Sequence, residues 1–106
     1  MVRFEDFPYM VTKGLLPYIV LAALKRDEAT VYDVIKRIHE ELGVIMSPAT
    51  TYTAVYSLER QGYVARVEKD RGAKYRVTSK GLILLQNAIV NLKELMPKIQ
   101  LFLEKP

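Results

Sequence analysis

Apolar residues recur at helical spacing in several stretches of the chain, and residues typical of helix ends separate these stretches. A first helix is predicted from about Leu15 to Lys25, after Gly14, and it is apolar nearly all round, which indicates burial on more than one side. A second is predicted from about Val31 to Leu42, where Gly43 ends it. Residues 1–13 are rich in aromatic residues but poorly periodic, so we expect an N-terminal arm against the body or a second subunit, or a frayed terminus.

The polar side of the second helix carries charges that are spaced for ion pairs. Lys36 and Glu40 stand four residues apart, as do Arg37 and Glu41. His39 lies among these charged residues, and it is the only histidine of the chain. We therefore expect His39 to be exposed rather than to act as a ligand or a catalytic group.

A third helix is predicted between a strong start signal and a glycine stop. Ser47 can cap the free N–H groups and Pro48 suits the first helical position, while Gly62 closes the helix. A helical wheel separates two faces, of which the outer one is free of acidic residues. The core face has Thr51, Ala54, Val55 and Leu58, and the outer face has Ala49, Thr53, Tyr56 and Arg60.

Alternating apolar and charged residues next predict a two-stranded antiparallel hairpin. Its strands are expected at 63–68 and 74–77, around a turn at 69–73. The short apolar link at 44–46 can add a small strand to it. One face of the hairpin is expected to carry Arg66, Lys74 and Arg76, and its tip adds Lys69 and Arg71.

The last segment predicts one long helix over residues 79–104, capped by Thr78. Pro97 removes a hydrogen bond inside it, but the apolar register survives, so we expect a kink rather than an end. The apolar stripe alternates spacings of three and four, which is typical of a helix packed along another helix. A chain of this size has no internal partner of that length. We therefore predict a homodimer with an interface of Leu82, Leu85, Ile89, Leu92, Met96, Ile99 and Leu103.

These elements define the expected fold class. It is mostly α with a small β-hairpin: a winged helix-turn-helix followed by a long C-terminal dimerisation helix. A chain of 106 residues is long enough for one core but too short for two. We therefore expect a single domain over 1–106, in which 1–13 form the N-terminal arm, 14–80 the winged-helix core and 79–104 the dimerisation helix.

The charge is concentrated in one segment. Residues 64–80 contain six basic and two acidic residues, a surplus of +4 that equals the net charge of the whole chain. Everything outside this segment is therefore neutral in sum. A small domain with one clustered basic segment favours an anionic partner, of which nucleic acid is the commonest.

The residue inventory argues against an enzyme. The chain has no cysteine and a single histidine, and it contains neither a phosphate-binding glycine loop nor a carboxylate pair in an apolar setting. We therefore predict no catalytic residue, no cofactor and no metal. The apolar run 15–24 is too short to span a bilayer, and Glu5 and Asp6 precede it, so we predict a cytoplasmic protein without a membrane partner.

The order helix, helix, turn, helix, basic hairpin is the geometry in which the third helix enters the major groove of DNA and the hairpin reaches the backbone. Basic side chains neutralise phosphates, hydroxyls bond bases or phosphates, and threonine methyls can meet thymine methyls. Tyr52 lies at the edge of the core face, so it can also be a half-buried anchor. The candidate DNA-binding residues are Ser47, Thr50, Tyr52, Thr53, Tyr56, Arg60, Arg66, Lys69, Arg71, Lys74 and Arg76.

Two segments carry a specific family pattern. One is the stretch from Thr50 through Tyr52 to Gly62, and the other is the hairpin exit from Tyr75 through Thr78 to Gly81. Together with the apolar run 14–24 and the segment 32–38, they make the chain resemble the PadR family of winged-helix transcriptional regulators. The resemblance implies a dimer held by the first and last helices that represses by occupying an operator. It also implies a possible small hydrophobic effector, for which Phe4, Phe7, Tyr9 and Met10 can line a site.

Some positions depart from the family pattern. Thr51 stands where leucine is usual, Tyr56 and Ser57 replace residues that are commonly basic, and Val31 takes a place often held by glycine. The third helix therefore carries little charge beyond Arg60. Three hypotheses stay open: a sequence-specific DNA-binding repressor, a nonspecific architectural DNA-binding protein, and a winged-helix module for protein interaction.

Overall fold

A computed structural model describes residues 3–67 and 72–106, and the described part has the element order of a winged helix with one long helix after it. The predicted fold class is confirmed as mostly α, with a small β-hairpin and a long C-terminal helix; the dimerisation role of that helix stays a prediction. In chain order the elements are α1 (Phe7–Gly14), α2 (Leu16–Lys25), α3 (Val31–Leu42), α4 (Pro48–Arg60), β1 (Val64–Val67), β2 (Lys74–Val77) and α5 (Ser79–Glu104).

The N-terminal arm contains a helix that the sequence pattern did not indicate. The side chain of Asp6 caps α1 by accepting a hydrogen bond from the Tyr9 N–H at 3.2 Å, and Pro8 stands in the first turn. The Thr12 hydroxyl is buried and donates to the Pro8 carbonyl at 2.7 Å. α1 is only eight residues long, and one residue separates it from α2. A segment of this length is too short for its apolar pattern to distinguish a helix from a loop.

α1 and α2 meet at a bend of 77°. Within residues 3–67 and 72–106, no single helix is long and apolar enough to cross a membrane; this bent pair reaches that length and composition only when its two helices are taken together.

The core is formed where α2, α3 and α4 pack on the inner side of the hairpin. α2 contributes on more than one side, as its apolar sequence predicts. Thr51 is fully buried on the core face of α4, and its hydroxyl donates to the Ser47 carbonyl at 2.8 Å. The buried apolar residues are Leu16, Val20, Leu21, Leu24, Ala29, Val31, Val34, Ile38, Val44, Met46, Val55, Leu58, Val64, Tyr75 and Leu85.

α3 begins with a capping box and ends at a left-handed glycine. The Asp33 N–H donates to the Thr30 hydroxyl at 3.1 Å, and the Asp33 carboxylate accepts from the Thr30 N–H at 3.0 Å. Gly43 closes the helix with φ 70°, as predicted. Hydrogen bonding to the Asp33 carboxylate from the backbone and the side chain of Thr30 lowers the pKa of Asp33, and the nearby positive charges of Arg37 and Lys74 lower it further.

We expect Asp33→Asn to weaken this cap by roughly 0.5 to 1 kcal/mol near neutral pH. Because the pKa of Asp33 is lowered in the folded state, its contribution is present above the usual carboxyl range and is lost as the pH falls through the folded pKa. Urea unfolding of both proteins should therefore give a stability gap that closes in acid. Glu104→Gln removes the same charge at the end of α5 and is the control; a gap that persists in acid contradicts the prediction.

Arg37 joins α3 to α2 rather than pairing with Glu41. Its Nη1 donates to the Ala23 carbonyl at 2.7 Å and to the Asp27 carbonyl at 3.3 Å. Glu41 instead faces Arg26, at 3.6 Å between Oε1 and Nη2. The i,i+4 pair expected from the sequence is wrong because the last carbonyls of α2 lack helical partners and the guanidinium reaches them.

The hairpin is antiparallel, and a residue from a different part of the chain extends it. β1 and β2 pair with Val64 opposite Val77 and Val67 opposite Lys74. On the other side of β2, Ala29 forms an isolated β-bridge with Tyr75, with two backbone hydrogen bonds of 3.0 and 2.8 Å. The strand expected at 44–46 is wrong: that segment is irregular, and it packs Val44 and Met46 into the core.

A compact joint connects the end of α4 to the start of α5. Thr78 caps α5 by accepting from the Gly81 N–H at 3.1 Å, and its own hydroxyl donates to the Gly62 carbonyl at 2.7 Å. Its N–H also donates to the Tyr63 carbonyl at 3.1 Å. Lys80 donates to the Gln61 carbonyl at 2.6 Å, so its charge serves this joint. The Thr-x-x-Gly pattern of the sequence therefore caps α5 and connects it to the end of α4.

α5 belongs to the body at its start and is exposed towards its end. Leu85 is 6% exposed and lies in the core of its own chain, so little of its side-chain surface is available to contact a second subunit. From Leu95 onwards the large apolar residues of α5 are exposed. The helix continues through Pro97 to Glu104, so the proline does not end it. The remaining residues of the predicted interface stay a prediction.

Candidate nucleic-acid interface

The exposed face of α4 is the one that the helical wheel predicts. Ala49, Thr53, Tyr56 and Arg60 are exposed and follow one another along the helix at spacings of four, three and four residues. Ser47 caps the helix, because its hydroxyl accepts from the Thr50 N–H at 3.2 Å. No acidic side chain stands in this row, so its start and middle offer a neutral surface and its end a positive charge.

The small hydroxyl groups of α4 are engaged inside the helix. The Thr53 hydroxyl donates to the Ala49 carbonyl at 2.9 Å. The Ser47 hydroxyl donates to the Thr50 hydroxyl at 2.9 Å. A hydroxyl has one proton to donate, so Ser47 and Thr53 have none left for an external acceptor in this arrangement.

Three tyrosine rings form a row from α3 onto the exposed face of α4. The Tyr32 and Tyr52 ring centroids are 6.4 Å apart in an edge-to-face arrangement, and those of Tyr52 and Tyr56 are 5.5 Å apart. Tyr32 and Tyr56 are 63% and 45% exposed, while Tyr52 between them is partly buried against the core. Sequence analysis missed Tyr32, although its place at the first turn of α3 is a usable signal.

Tyr75 of β2 lies beneath this row. Its side chain is buried, and burial raises the pKa of its phenol; Tyr56 and Glu59 raise it further, while the charge of Arg66 opposes them. The phenol therefore stays neutral at physiological pH. Because Tyr56 and Glu59 of α4 both act on Tyr75, the inner face of the hairpin lies next to the last turns of α4.

The basic residues of the hairpin lie on two faces, not on one. Arg66 pairs with Tyr75, whereas Ala65 pairs with Arg76 and Val67 with Lys74. Directly paired residues share a face of the sheet, so Lys74 and Arg76 share one face and Arg66 lies on the other. The expectation of a single basic face is wrong because the two strands place their charged positions in opposite phase.

Two of the predicted DNA-binding residues, Lys69 and Arg71, lie outside the described residues. Among the described ones, Arg60, Arg66 and Arg76 are exposed and Lys74 is partly buried. The charge of Lys74 acts on Asp33, which places it near the start of α3. Arg66 and Tyr56 both act on the phenol of Tyr75, so Arg66 stands near α4.

Residues 20–87 match the family model of the transcriptional regulator PadR-like family. The chain belongs to this family. Comparison with the curated proteins gave no match. The matched family is one of transcriptional regulators.

Solved structures support the PadR-like fold. A PadR family regulator from Eggerthella lenta is 24% identical, with a TM-score of 0.82 over 96% of this chain and 93% of that one. A transcriptional regulator from Clostridium thermocellum is 21% identical, with a TM-score of 0.79 over 99% and 100%. Bacillus subtilis PadR in complex with operator DNA is 23% identical, with a TM-score of 0.66 over 72% of this chain and 47% of that one.

The residues expected to line an effector site do not line either of two clefts in the described part of this PadR-like chain. A cleft of about 500 Å³ lies between α2 and α3, and one of about 210 Å³ lies between the start of α2 and α5. Neither is lined by Phe4, Phe7, Tyr9 or Met10; of these, Tyr9 packs against the core and the others are exposed. The hydrophobic effector stays a prediction.

No metal-binding group was found in the described part of this PadR-like chain. Residues 3–67 and 72–106 contain no cluster of three or more histidine, aspartate or glutamate side chains that could hold an ion. His39 is exposed on α3.

Proposed function

We propose that this PadR-like chain is a dimeric DNA-binding transcriptional regulator that represses by occupying an operator. In this proposal α4 enters the major groove and the hairpin lies on the phosphate backbone. The observation that carries it is the exposed, acid-free row of α4, in a chain whose hairpin packs against α4 and carries exposed basic side chains. Because its partner is the DNA of the cell, we place the protein in the cytoplasm.

Affinity and selectivity come from different elements in this proposal. The basic residues neutralise phosphates, which strengthens binding to any sequence. The outer row of α4, from Ala49 to Tyr56, meets the base edges, and this is where sequences can be told apart. Ser47, Thr50 and Tyr52 border the row. Arg60, Arg66, Lys69, Arg71, Lys74 and Arg76 are the proposed phosphate contacts.

Dimerisation would supply the second recognition helix. α5 spans 26 residues, and its second half exposes large apolar side chains that its own chain does not cover. In the proposed dimer these residues pack against a second copy. The two α4 helices would then stand about 34 Å apart, the distance between major grooves one helical turn apart on one side of the duplex.

We expect Lys74→Ala combined with Arg76→Ala to weaken binding to every DNA sequence about tenfold or more. The two residues share one face of the hairpin, so they can follow one strand of phosphates. Each lost phosphate contact also lowers the slope of log affinity against log salt by about 0.9. Titrations of an operator duplex and of a random duplex between about 50 and 200 mM salt measure both effects.

The matched control is Lys98→Ala with Lys105→Ala, which removes two exposed positive charges near the end of α5. It should leave affinity and salt slope close to those of the wild type. If the hairpin variant also binds as the wild type does, the hairpin does not contact DNA, and the hypothesis of a protein-interaction module gains support.

One observation favours an architectural role as the second candidate. The exposed row of α4 contains a single charged residue, Arg60, so much of the affinity would come from the hairpin. Competition between random duplex and the DNA upstream of the protein's own gene separates the two. A regulator prefers its own upstream DNA by a large factor, whereas equal affinity indicates a nonspecific binder.

A further inference from the structure

We propose that α4 tells base pairs apart mainly by apolar contact with the C5-methyl groups of thymine. Tyr56 is the principal contact, and Tyr52 and Tyr32 act as positioning residues that hold its ring. This inference rests on the proposed function, because it requires α4 to lie in the major groove, and it names the chemistry by which that helix selects an operator.

The exposed row of α4 presents mainly apolar groups. Ala49 has only a methyl group beyond its backbone. Thr53 donates its one hydroxyl proton to the Ala49 carbonyl at 2.9 Å, so its methyl group is the part without a polar partner. Tyr56 adds an aromatic ring that is 45% exposed. Apart from the Tyr56 phenol, the start and middle of this row therefore offer carbon atoms rather than hydroxyl protons for an external acceptor.

The chemistry of the base edges decides which base such a surface can recognise. In the major groove guanine is read by arginine or lysine, adenine by asparagine or glutamine, and cytosine by a carboxylate. None of these side chains stands between Ala49 and Tyr56 on the exposed row. Arg60, the last residue of α4, stands one turn beyond Tyr56 and is a proposed phosphate contact. Thymine, with its methyl group, is the base that an apolar surface selects.

A row of ring contacts holds the Tyr56 ring in place. Its centroid is 5.5 Å from that of Tyr52, which packs against the core, and Tyr52 in turn is 6.4 Å from Tyr32 at the start of α3. Both separations lie in the range of favourable ring contacts. A ring that is already ordered loses less conformational entropy when it binds. Tyr32 therefore acts on recognition from a different helix.

Replacing single thymines of the operator by deoxyuridine tests the contact directly, because only the methyl group is removed. The operator is first selected from a random duplex pool with the wild-type protein. We expect about a fourfold loss of affinity for each contacted methyl, since one buried methyl contributes about 0.8 kcal/mol. Tyr56→Ala should abolish the loss at the thymine that Tyr56 contacts and keep it at the others.

The outcomes are distinguishable. If deoxyuridine at every position leaves the affinity unchanged, or if Tyr56→Ala keeps the full pattern of losses, thymine reading is overturned while the regulator proposal stands. If no sequence is enriched from the pool, sequence-specific regulation itself is overturned, and this inference with it.

The positioning role of Tyr32 has a separate test with a conservative variant. Tyr32 is 63% exposed, so Tyr32→Ala should fold, and a thermal melt verifies it. We expect Tyr32→Ala to shift the NMR signals of the Tyr56 ring in the free protein and to lower the operator-to-random affinity ratio about threefold. Tyr32→Phe keeps the ring and should restore both. If Tyr32→Phe loses as much selectivity as Tyr32→Ala, the hydroxyl contacts DNA directly and the positioning role is overturned.

Discussion

Gly81→Ala should destabilise the domain by about 3 kcal/mol and lower its melting temperature by roughly 10 °C or more. Gly81 is buried in the first turn of α5, and a Cβ atom there would overlap the Tyr63 carbonyl oxygen and approach the Val77 side chain to 2.8 Å. The Tyr63 oxygen cannot withdraw easily, because it accepts a hydrogen bond from the Thr78 N–H at 3.1 Å. Thermal unfolding followed by circular dichroism measures the effect.

Gly14→Ala is the matched control for this substitution. Gly14 is the last residue of α1, and no atom lies within 4 Å of the position that a Cβ would take. The added methyl should change the melting temperature little, or raise it slightly, because alanine lowers the entropy of the unfolded chain. Equal melting of the Gly81→Ala protein and the wild type would show that the joint is less tightly packed than the contacts of Gly81 indicate.

Ile99→Asp should convert the proposed dimer into monomers and weaken operator binding about a hundredfold or more. Ile99 is 40% exposed in the single chain and belongs to the predicted stripe of α5. In a dimer its side chain would be buried, and an unpaired carboxylate there costs several kcal/mol. A monomer also loses the gain in affinity that comes from two linked half-site contacts. Sedimentation equilibrium and DNA titration measure the two effects.

Val90→Asp is the control for the dimer prediction. Val90 is 55% exposed on the same helix, on the side opposite the stripe, so its substitution adds the same charge without entering the predicted interface. This variant should sediment as the wild type does. A dimer that survives Ile99→Asp but dissociates with Val90→Asp would move the interface to the other side of α5.

The elements that sequence reasoning located well are those with chemical signals at their ends. α3 ends at Gly43, and α4 follows its cap residue Ser47, so periodicity and end signals agree. α1 has a cap at Asp6 but only eight residues. The irregular segment at 44–46 has strand-like residues, yet Ala29 occupies the place beside β2. Which segment pairs with a sheet edge depends on tertiary packing, and local propensity does not carry that information.

The candidate interface was predictable where one helix defines it and not where several elements meet. The outer row of α4 follows from its 100° periodicity. The split of Arg66 from Lys74 and Arg76 depends on strand register, since a shift of one residue moves a side chain to the other face. Tyr32 is twenty residues from Tyr52 in sequence, and only the packing of α3 on α4 brings their rings together. No single-helix pattern contains that contact.

The joint at Thr78 fastens the end of α4 to the start of α5. Hydrogen bonds from Thr78 and Lys80 hold the carbonyls of residues 61–63, so α4 is held at its C-terminal end by the helix that would contact the other subunit of the proposed dimer. α4 has 13 residues and is therefore roughly 20 Å long, so a tilt of about 5° at the joint displaces its first turn by about 1.7 Å. Such a displacement is large compared with the tolerance of a base contact. In the proposed dimer, a small change in how the two α5 helices cross would therefore shift the two α4 helices relative to each other.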